Sequence, residues 1–456
     1  MDLQALLATH AGEQHDLFAA TVNPQLVRVL KTIGFDKEYT RAQGQYLFDA
    51  CGHRYLDFLS GYGVFNMGRN HPRIKAAIAQ ALELDLPNMV QMDAPLPAGL
   101  LAKRLLAILP PAIDRVFFTN SGTEANEAAI KFSRCATRRS RICYFTHAFH
   151  GLTNGSLSVN GNAEFRDGFE PLLPGCVGIP LGDLDALERE LRQKDVAALI
   201  VEPIQGKGVY LPPDGFFAAA QEICRRYGTL LVLDEVQTGL GRTGRWFGFE
   251  HWGLTPDIVT IAKALSGGLI PVGACCYSAT VYERVYSSME RCVVHSNTFG
   301  RNTLAMVAGL AALDVLEEEG LAANAAARGM ELLDGLRAMQ QQYELIEEVR
   351  GIGCMIGIEF GRPRSLKLRA GWELIHTVNR ALFGQLIVVP LMTDHRILTQ
   401  VAGHNVIVKL LPPLVITPED VRYFLSAFET VVAACHEFPG AAWDVGKGLA
   451  KRAMTA

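Results

Sequence analysis

The 456-residue sequence has little that would tie it to a membrane, a nucleic acid or an oxidising compartment. No apolar run reaches the roughly 20 residues that a bilayer-spanning helix needs. The opening stretch, MDLQALLATHAGEQHD, has neither a basic start nor a continuous apolar segment, so a secretion signal is not expected there. A formal net charge of −4 offers no electrostatic attraction to nucleic acid or to anionic lipid. The ten cysteines form no paired framework and include no C-x-x-C. Cys275 and Cys276 are neighbours in an apparent strand, poorly placed to bond each other. The thiols read as small hydrophobes in a reducing compartment, which makes the cytoplasm the expected location. Internal repeats and low-complexity linkers are also lacking.

What is present is ordinary globular material, 49% apolar and 20% charged, in a chain long enough for two domains or one large domain with a satellite. Residues 1 to about 35 read as peripheral helices. From Arg41 the stretch QGQYLFDACGHRYLDFLSGYG alternates apolar and polar residues with glycine breaks, as hairpin strands do. Helical periodicity runs through Ile74 to Leu84. From about residue 113 strands and helices alternate: Arg115 to Thr119, Arg141 to Phe145, Ala197 to Val201, Leu230 to Leu233, Ile258 to Ile261 and Val272 to Tyr277 are the strands. Helices such as Ala125 to Arg134, Gly215 to Tyr227 and Leu304 to Leu316 lie between or after them. Continuous apolar strands alternating with helices indicate an α/β fold with a mostly parallel sheet covered on both faces. Beyond about residue 325, GCMIGIEF and NVIVKLLPPLVIT suit a smaller α+β domain, and no reading is assigned from Phe438 onward.

Such sheets bind ligands beyond the carboxyl ends of their strands. The first strand delivers Asn120, Ser121, Gly122 and Thr123 into the start of a helix, where small residues and free N–H groups suit a phosphate, or equally a plain N-cap. The second leads to His147-Ala148-Phe149-His150-Gly151, an aromatic residue able to stack on a planar ring. Its two histidines lack the carboxylate or cysteine company of a metal site, so no metal is expected. The third ends at Glu202. Asp234 closes the fourth, and its burial calls for a cation or donor, either a ligand's pyridinium N–H or an internal arginine or cap. Gly239-Leu240-Gly241-Arg242-Thr243-Gly244 matches the dinucleotide fingerprint but neither follows directly on a strand nor opens a helix, and that reading is rejected. In DIVTIAKALSGG, Lys263 follows a buried strand within two residues. Partial desolvation there would favour its neutral amine and Schiff-base chemistry; the alternative is a solvated loop lysine.

A phosphate cup, a stacking aromatic, a buried aspartate and a strand-end lysine, in that order, are what pyridoxal phosphate requires. With NSGTEANEAAIK, FHG, VEPIQG, LVLDEVQTGLGRTG, IAKALSGG, NTFGRN and LLPPLVIT, the chain from about Tyr46 to Ile416 resembles the class III (ornithine, putrescine and ω-amino acid type) aminotransferases of fold type I. The resemblance implies a large domain with a mostly parallel seven-stranded sheet over residues 70–325. It also implies a smaller α+β domain built from both termini, 1–69 and 326–456. Lys263 would hold the cofactor as a Schiff base, Asp234 would pair with the ring nitrogen, and Gln237 with the ring hydroxyl. Val236 and Phe149 would sandwich the ring, with His150 beside it. Ser121, Gly122 and Thr123 would take the phosphate, joined by Thr298 from the second subunit of a homodimer with shared active sites. Glu202 would line the cofactor pocket near the substrate, and Tyr62 the substrate side. Transamination between an amine donor and a carbonyl acceptor follows.

The sequence departs from that family in its substrate switch. Lys207 stands where a glutamate is usual and Lys409 where an arginine is usual, and Gly-Gly-Asn-Pro has become Gly300-Arg301-Asn302-Thr303. A lysine is a point charge and not a fork for carboxylate. Ornithine, acetylornithine and 4-aminobutyrate are therefore not the expected substrates. A less usual amine or aldehyde is, such as a diamine or a lipid or secondary-metabolite intermediate, and the lysine-bearing pattern is similar to aminotransferases of prodigiosin-type and aminohopanoid pathways. The competing readings are an aminomutase or decarboxylase of the same fold, or a catalytically silent cofactor-binding module.

Overall fold

The computed structural model describes residues 1–88, 91–378, 383–402, 406–437, 439–440 and 443. Its centre is a seven-stranded sheet: β1 (Arg115–Thr119), β2 (Arg141–Phe145), β3 (Cys176–Ile179), β4 (Val196–Val201), β5 (Leu230–Asp234), β6 (Ile258–Ile261) and β7 (Gly273–Tyr277). The spatial order is β1-β7-β6-β5-β4-β2-β3. Only β7 runs against its neighbours, so β1, β2, β4, β5 and β6 all end on one side.

The strands are apolar throughout because both faces are covered. Alternation sends Ile142 and Tyr144 to a cluster with Ala125, Ala128 and Phe132 of the helix Gly122–Thr137, while Cys143 and Phe145 join Phe216 and Phe217 on the other face. Cys275 and Cys276 part in the same way, and every cysteine is a free thiol. The sequence reading missed β3, whose half-exposed Cys-Val-Gly-Ile lacks the apolar run of its neighbours.

Two smaller sheets flank this centre. In one, the strands Tyr39–Gln43, Tyr46–Asp49 and Arg54–Asp57 are joined by the distant pair Ile397–Leu398, parallel to Arg54–Asp57. In the other, Ile346–Ile352, Met355–Phe360, Ile407–Leu410 and Gln400–Ala402 pair antiparallel. The amino-terminal helices Leu3–Thr9, Gln14–Thr21 and Pro24–Ile33 lie at the surface and bury only Val27, as expected of a peripheral segment. Among the described residues, no helix is long and apolar enough to cross a membrane. The tail beyond residue 437 lies largely outside the described residues. Of its described residues, Trp443 is buried, with its Nε1 donating to the Cys435 carbonyl at 2.8 Å.

The false dinucleotide fingerprint is a joint. Arg242 is fully buried and donates to the Cys354 carbonyl (3.0 Å), the Pro412 carbonyl and Asn66 Oδ1 (2.5 Å), while Asn66 Nδ2 returns a bond to the Leu240 carbonyl (2.7 Å). Burial pulls its guanidinium down to about 10. It ties the turn after β5 to both ends of the chain. Replacing it should strand three buried acceptors, so Arg242→Ala is expected to lower stability by more than about 3 kcal/mol in urea unfolding, with no change in secondary structure of the folded state.

Candidate active site

The site is assembled at the common end of the strands. Asp234, the last residue of β5, is 3% exposed. Its Oδ2 accepts from His150 Nδ1 (2.7 Å) and Asn126 Nδ2 (2.8 Å), and its Oδ1 from the Val236 N–H (3.1 Å). Burial pushes the carboxyl upward, but the His150 bond and charge, Asn126 and the Val236 N–H outweigh it and leave Asp234 below its ordinary range. Among the described residues, no arginine pairs with it. His150 Nε2 is buried with no partner among the described residues.

Lys263 follows β6 and opens the turn Lys263–Ser266 with φ of 47°. Its amine makes no hydrogen bond or ion pair among the described residues. Burial holds it below the usual lysine range, opposed by the charges of Asp234 and Glu202. An uncommitted amine held below the usual lysine range, beside an aspartate held ionised, is suited to act as nucleophile and base. Glu202, just past β4, accepts from the Phe149 N–H (2.9 Å) and the Gly206 N–H (2.8 Å). Burial raises its carboxyl, with His150 opposing and Asp234 adding to the rise.

At the end of β1, Ser121 caps the helix Gly122–Thr137, accepting from the Glu124 N–H at 3.3 Å. The N–H groups of Gly122 and Thr123 have no acceptor among the described residues, so the cap leaves an anion cradle open. A side chain at Gly122 would meet Val236 Cγ1 at 2.8 Å, which explains why glycine stands there. The Thr123 hydroxyl is shared with Thr153 at 2.7 Å. Thr298 lies exposed on a turn that Asn297 fastens to the Phe118 carbonyl (2.9 Å).

On the other side, Gln237 bridges Tyr62 and Lys409. Its Nε2 donates to the Tyr62 carbonyl (2.8 Å) and its Oε1 accepts from Lys409 Nζ (2.6 Å). The Tyr62 ring itself is exposed. Lys409, 3% exposed, reaches in from the strand Ile407–Leu410 and also donates to the Gly206 carbonyl. Lys207 turns elsewhere: it pairs with Glu164 at 2.5 Å and lies over the Phe165 ring, itself edge-on to Phe149.

The structure thus brings Lys263, Asp234, His150, Glu202, Gln237 and Lys409 together, with Gly122 against Val236. Lys207 and the Tyr62 side chain look outward. His147 rests against Tyr210, apart from the role of His150. The sequence reading missed Asn126 and Thr260, whose hydroxyl donates to Asn126 Oδ1 at 2.8 Å. Each is a lone polar residue on a buried apolar element, Asn126 among Ala125, Ala128 and Ala129, and Thr260 within Ile-Val-Thr-Ile. That break in pattern was the available signal.

Lys409 sets a pH dependence of stability. Burial, then the charge of Lys263, pulls it from 10.5 down to about 7. The unfolded chain holds this proton to higher pH than the folded one. Unfolding is therefore coupled to proton uptake between these values, and the lysine's contribution to stability rises with pH from about 7 towards 10.5. In Lys409→Met the rise should flatten relative to the parent, as read by chemical denaturation at several pH values across that window.

The sequence model of the Aminotransferase class-III family matches residues 33–432. Aminotransferase PigE of a Serratia species is 36% identical over 449 residues, covering 91% of this chain and 53% of its own length, so the chain spans about half of that relative. Putrescine aminotransferase of Pectobacterium atrosepticum is 37% identical, covering 91% of this chain and 87% of its own. Among solved structures, an ornithine aminotransferase from Toxoplasma gondii superposes with a TM-score of 0.82 at 28% identity, over 96% of this chain and 99% of that one. A pyridoxal phosphate-bound amine transaminase from an uncultivated Pseudomonas species gives 0.76 at 30% identity, over 88% and 95%. The chain belongs to the class III aminotransferases, pyridoxal phosphate enzymes of fold type I.

Proposed function

We propose that this protein is a transaminase that moves an amino group from a primary amine or amino acid to an aldehyde or keto acid, with a non-standard amine or aldehyde on one side. The observation that carries this is the uncommitted Lys263 amine beside an ionised, triply hydrogen-bonded Asp234.

The residues fit the cofactor. The open N–H groups of Gly122 and Thr123, capped by Ser121, suit its phosphate. Asp234, held ionised with His150 behind it, suits a protonated ring nitrogen. Phe149 and Val236 suit the two faces of a flat ring, and Gln237 Nε2 keeps a second hydrogen for the ring hydroxyl. Thr298 would complete the phosphate cradle from the second copy of a homodimer. Met92, Leu96, Met289 and Phe299 leave large apolar side chains exposed that such a copy would cover. Residues 70–325 form the cofactor domain in this reading, and 1–69 with 326–456 form the other. The pairing of Ile397–Leu398 with Arg54–Asp57 and of Gln45 with Asp420 (2.7 Å) supports that grouping. The cytoplasm suits the unpaired thiols.

When bound, pyridoxal phosphate supplies an electron sink for the C–H bond broken in the donor. Asp234 would keep a proton on the ring nitrogen, which makes this sink effective. Lys263 Nζ would anchor the cofactor, and as a free amine would take the proton from the donor carbon as a base and hand it on as an acid. Glu202 holds the Phe149 and Gly206 backbone in place around it.

Lys409 and Lys207 support the non-standard substrate. Arg242 is committed to Cys354, Pro412 and Asn66, and Lys409 has spent two donors on Gly206 and Gln237. At position 409 a lysine offers no fork for a carboxylate.

Two experiments test this reading. The absorbance of the cofactor-loaded protein should change on mixing with at least one of L-glutamate, L-alanine, ornithine, putrescine or a long-chain primary amine. Lys263→Ala should abolish that change; its persistence in the variant would refute the role of Lys263. The second is the double variant Lys207→Glu with Lys409→Arg, which should shift preference towards donors with an α-carboxylate. An unchanged order of donors would show that this pair does not set specificity.

A further inference from the structure

Resting on the proposed cofactor site, we propose that Asn126, locked by Thr260, is the positioning residue that fixes Asp234 against the ring nitrogen and joins it to the loop carrying His150 and Phe149. Three hydrogen bonds carry this. Thr260 Oγ1 donates to Asn126 Oδ1 (2.8 Å), which commits the other end of the amide, Nδ2, to donating. That end bridges Asp234 Oδ2 (2.8 Å) and the His150 carbonyl (2.7 Å). Asn126 and Thr260 are 1% and 0% exposed, so water cannot replace either bond. Strand register makes the arrangement possible: Thr260 of β6 pairs directly with Asp234 of β5.

The consequence is directional. With Oδ2 held twice, by Asn126 and His150, Oδ1 is left with a single backbone donor, Val236, and room for another proton. The ionisable groups acting on Asp234 are His150 from the loop after β2, Glu202 after β4, Lys263 after β6 and Glu235 beside it. Asn126 stabilises the carboxylate without adding charge, and so leaves the field at Lys263 unaltered. An aspartate in its place would set two buried carboxylates together, with one proton shared between them.

The test uses the full-length protein stripped of cofactor and titrated with pyridoxal phosphate, following tryptophan fluorescence from pH 5 to 9. Asn126→Ala and Thr260→Val should each weaken binding by about tenfold or more. The acid limb of affinity against pH should move to higher pH, since Asp234 becomes easier to protonate. Asn126→Asp should move it further, and Thr260→Ser, which keeps the hydroxyl, should restore parental behaviour. Parental affinity and an unmoved limb in folded Asn126→Ala would overturn the proposal. Should that variant fail to fold, the Thr260 pair decides. Valine equal to the parent, or serine as impaired as valine, overturns it, because packing and not the hydroxyl would then be at work. Failure of the parent itself to bind pyridoxal phosphate would instead refute the cofactor site beneath it.

Discussion

Asp234 carries its charge where water does not reach, and much of the site's architecture follows from solvating it with protein. A buried ion is tolerated only with partners of good geometry. Here they come from separate parts of the chain: Asn126 from the helix after β1, His150 from the loop after β2, Val236 from its own turn. These segments meet because β1, β2 and β5 run the same way and end on one edge. The parallel sheet is the device that makes one carboxylate reachable from several loops.

The same edge must then accommodate two lysines. Lys263 lies close enough to Lys409 for its charge to be felt there, while Glu202 opposes the discharge of both and Asp234 that of Lys263. Burial pulls both lysines below their usual range, Lys409 to about 7. Lys207 escapes outward to Glu164 and Phe165, where solvent shares its charge. The positions that look like a matched pair in sequence therefore do different things. One lysine braces Gln237 and Gly206 from inside, and the other fastens the segment Ala163–Arg166 over Phe149.

How much of this could be read beforehand depended on whether the signal was local. The strands buried on both faces announced themselves, and a residue at or just past the end of each pointed to the candidate site: Asp234 closing Leu-Leu-Val-Leu, and Lys263 two residues past Ile-Val-Thr-Ile. β3 did not, because a four-residue edge strand with only Ile179 buried carries no apolar run. Asn126 and Thr260 were visible only as interruptions, since their partnership exists through the register of β5 on β6 and the pitch of a helix 134 positions away. Arg242 was read as no part of a dinucleotide site, and its role as a joint needed the carbonyls of Cys354 and Pro412, far along the chain.

Backbone conformation shows where the fold yields to the site. Lys263, Tyr62 and Val209 all sit at positive φ, 47°, 63° and 54°, in a region that side chains avoid and β-branched ones most of all. Each such residue costs roughly 1–3 kcal/mol, and it persists only where its surroundings over-determine it. At Val209 the clamp is Arg350, donating to the carbonyls of Val209 (3.0 Å) and Gly208 (2.9 Å). At Tyr62 it is Gln237 on the carbonyl. At Lys263 it is the packing of Ala262, Ala264 and Leu265, all buried, on either side. All three residues adjoin the site: Lys263 supplies its amine, Tyr62 accepts from Gln237, and Val209 anchors the loop whose Gly206 carbonyl takes Lys409. A relaxed turn after β6 would carry the lysine along another direction, so the strain there is the form in which the fold stores the placement of its amine.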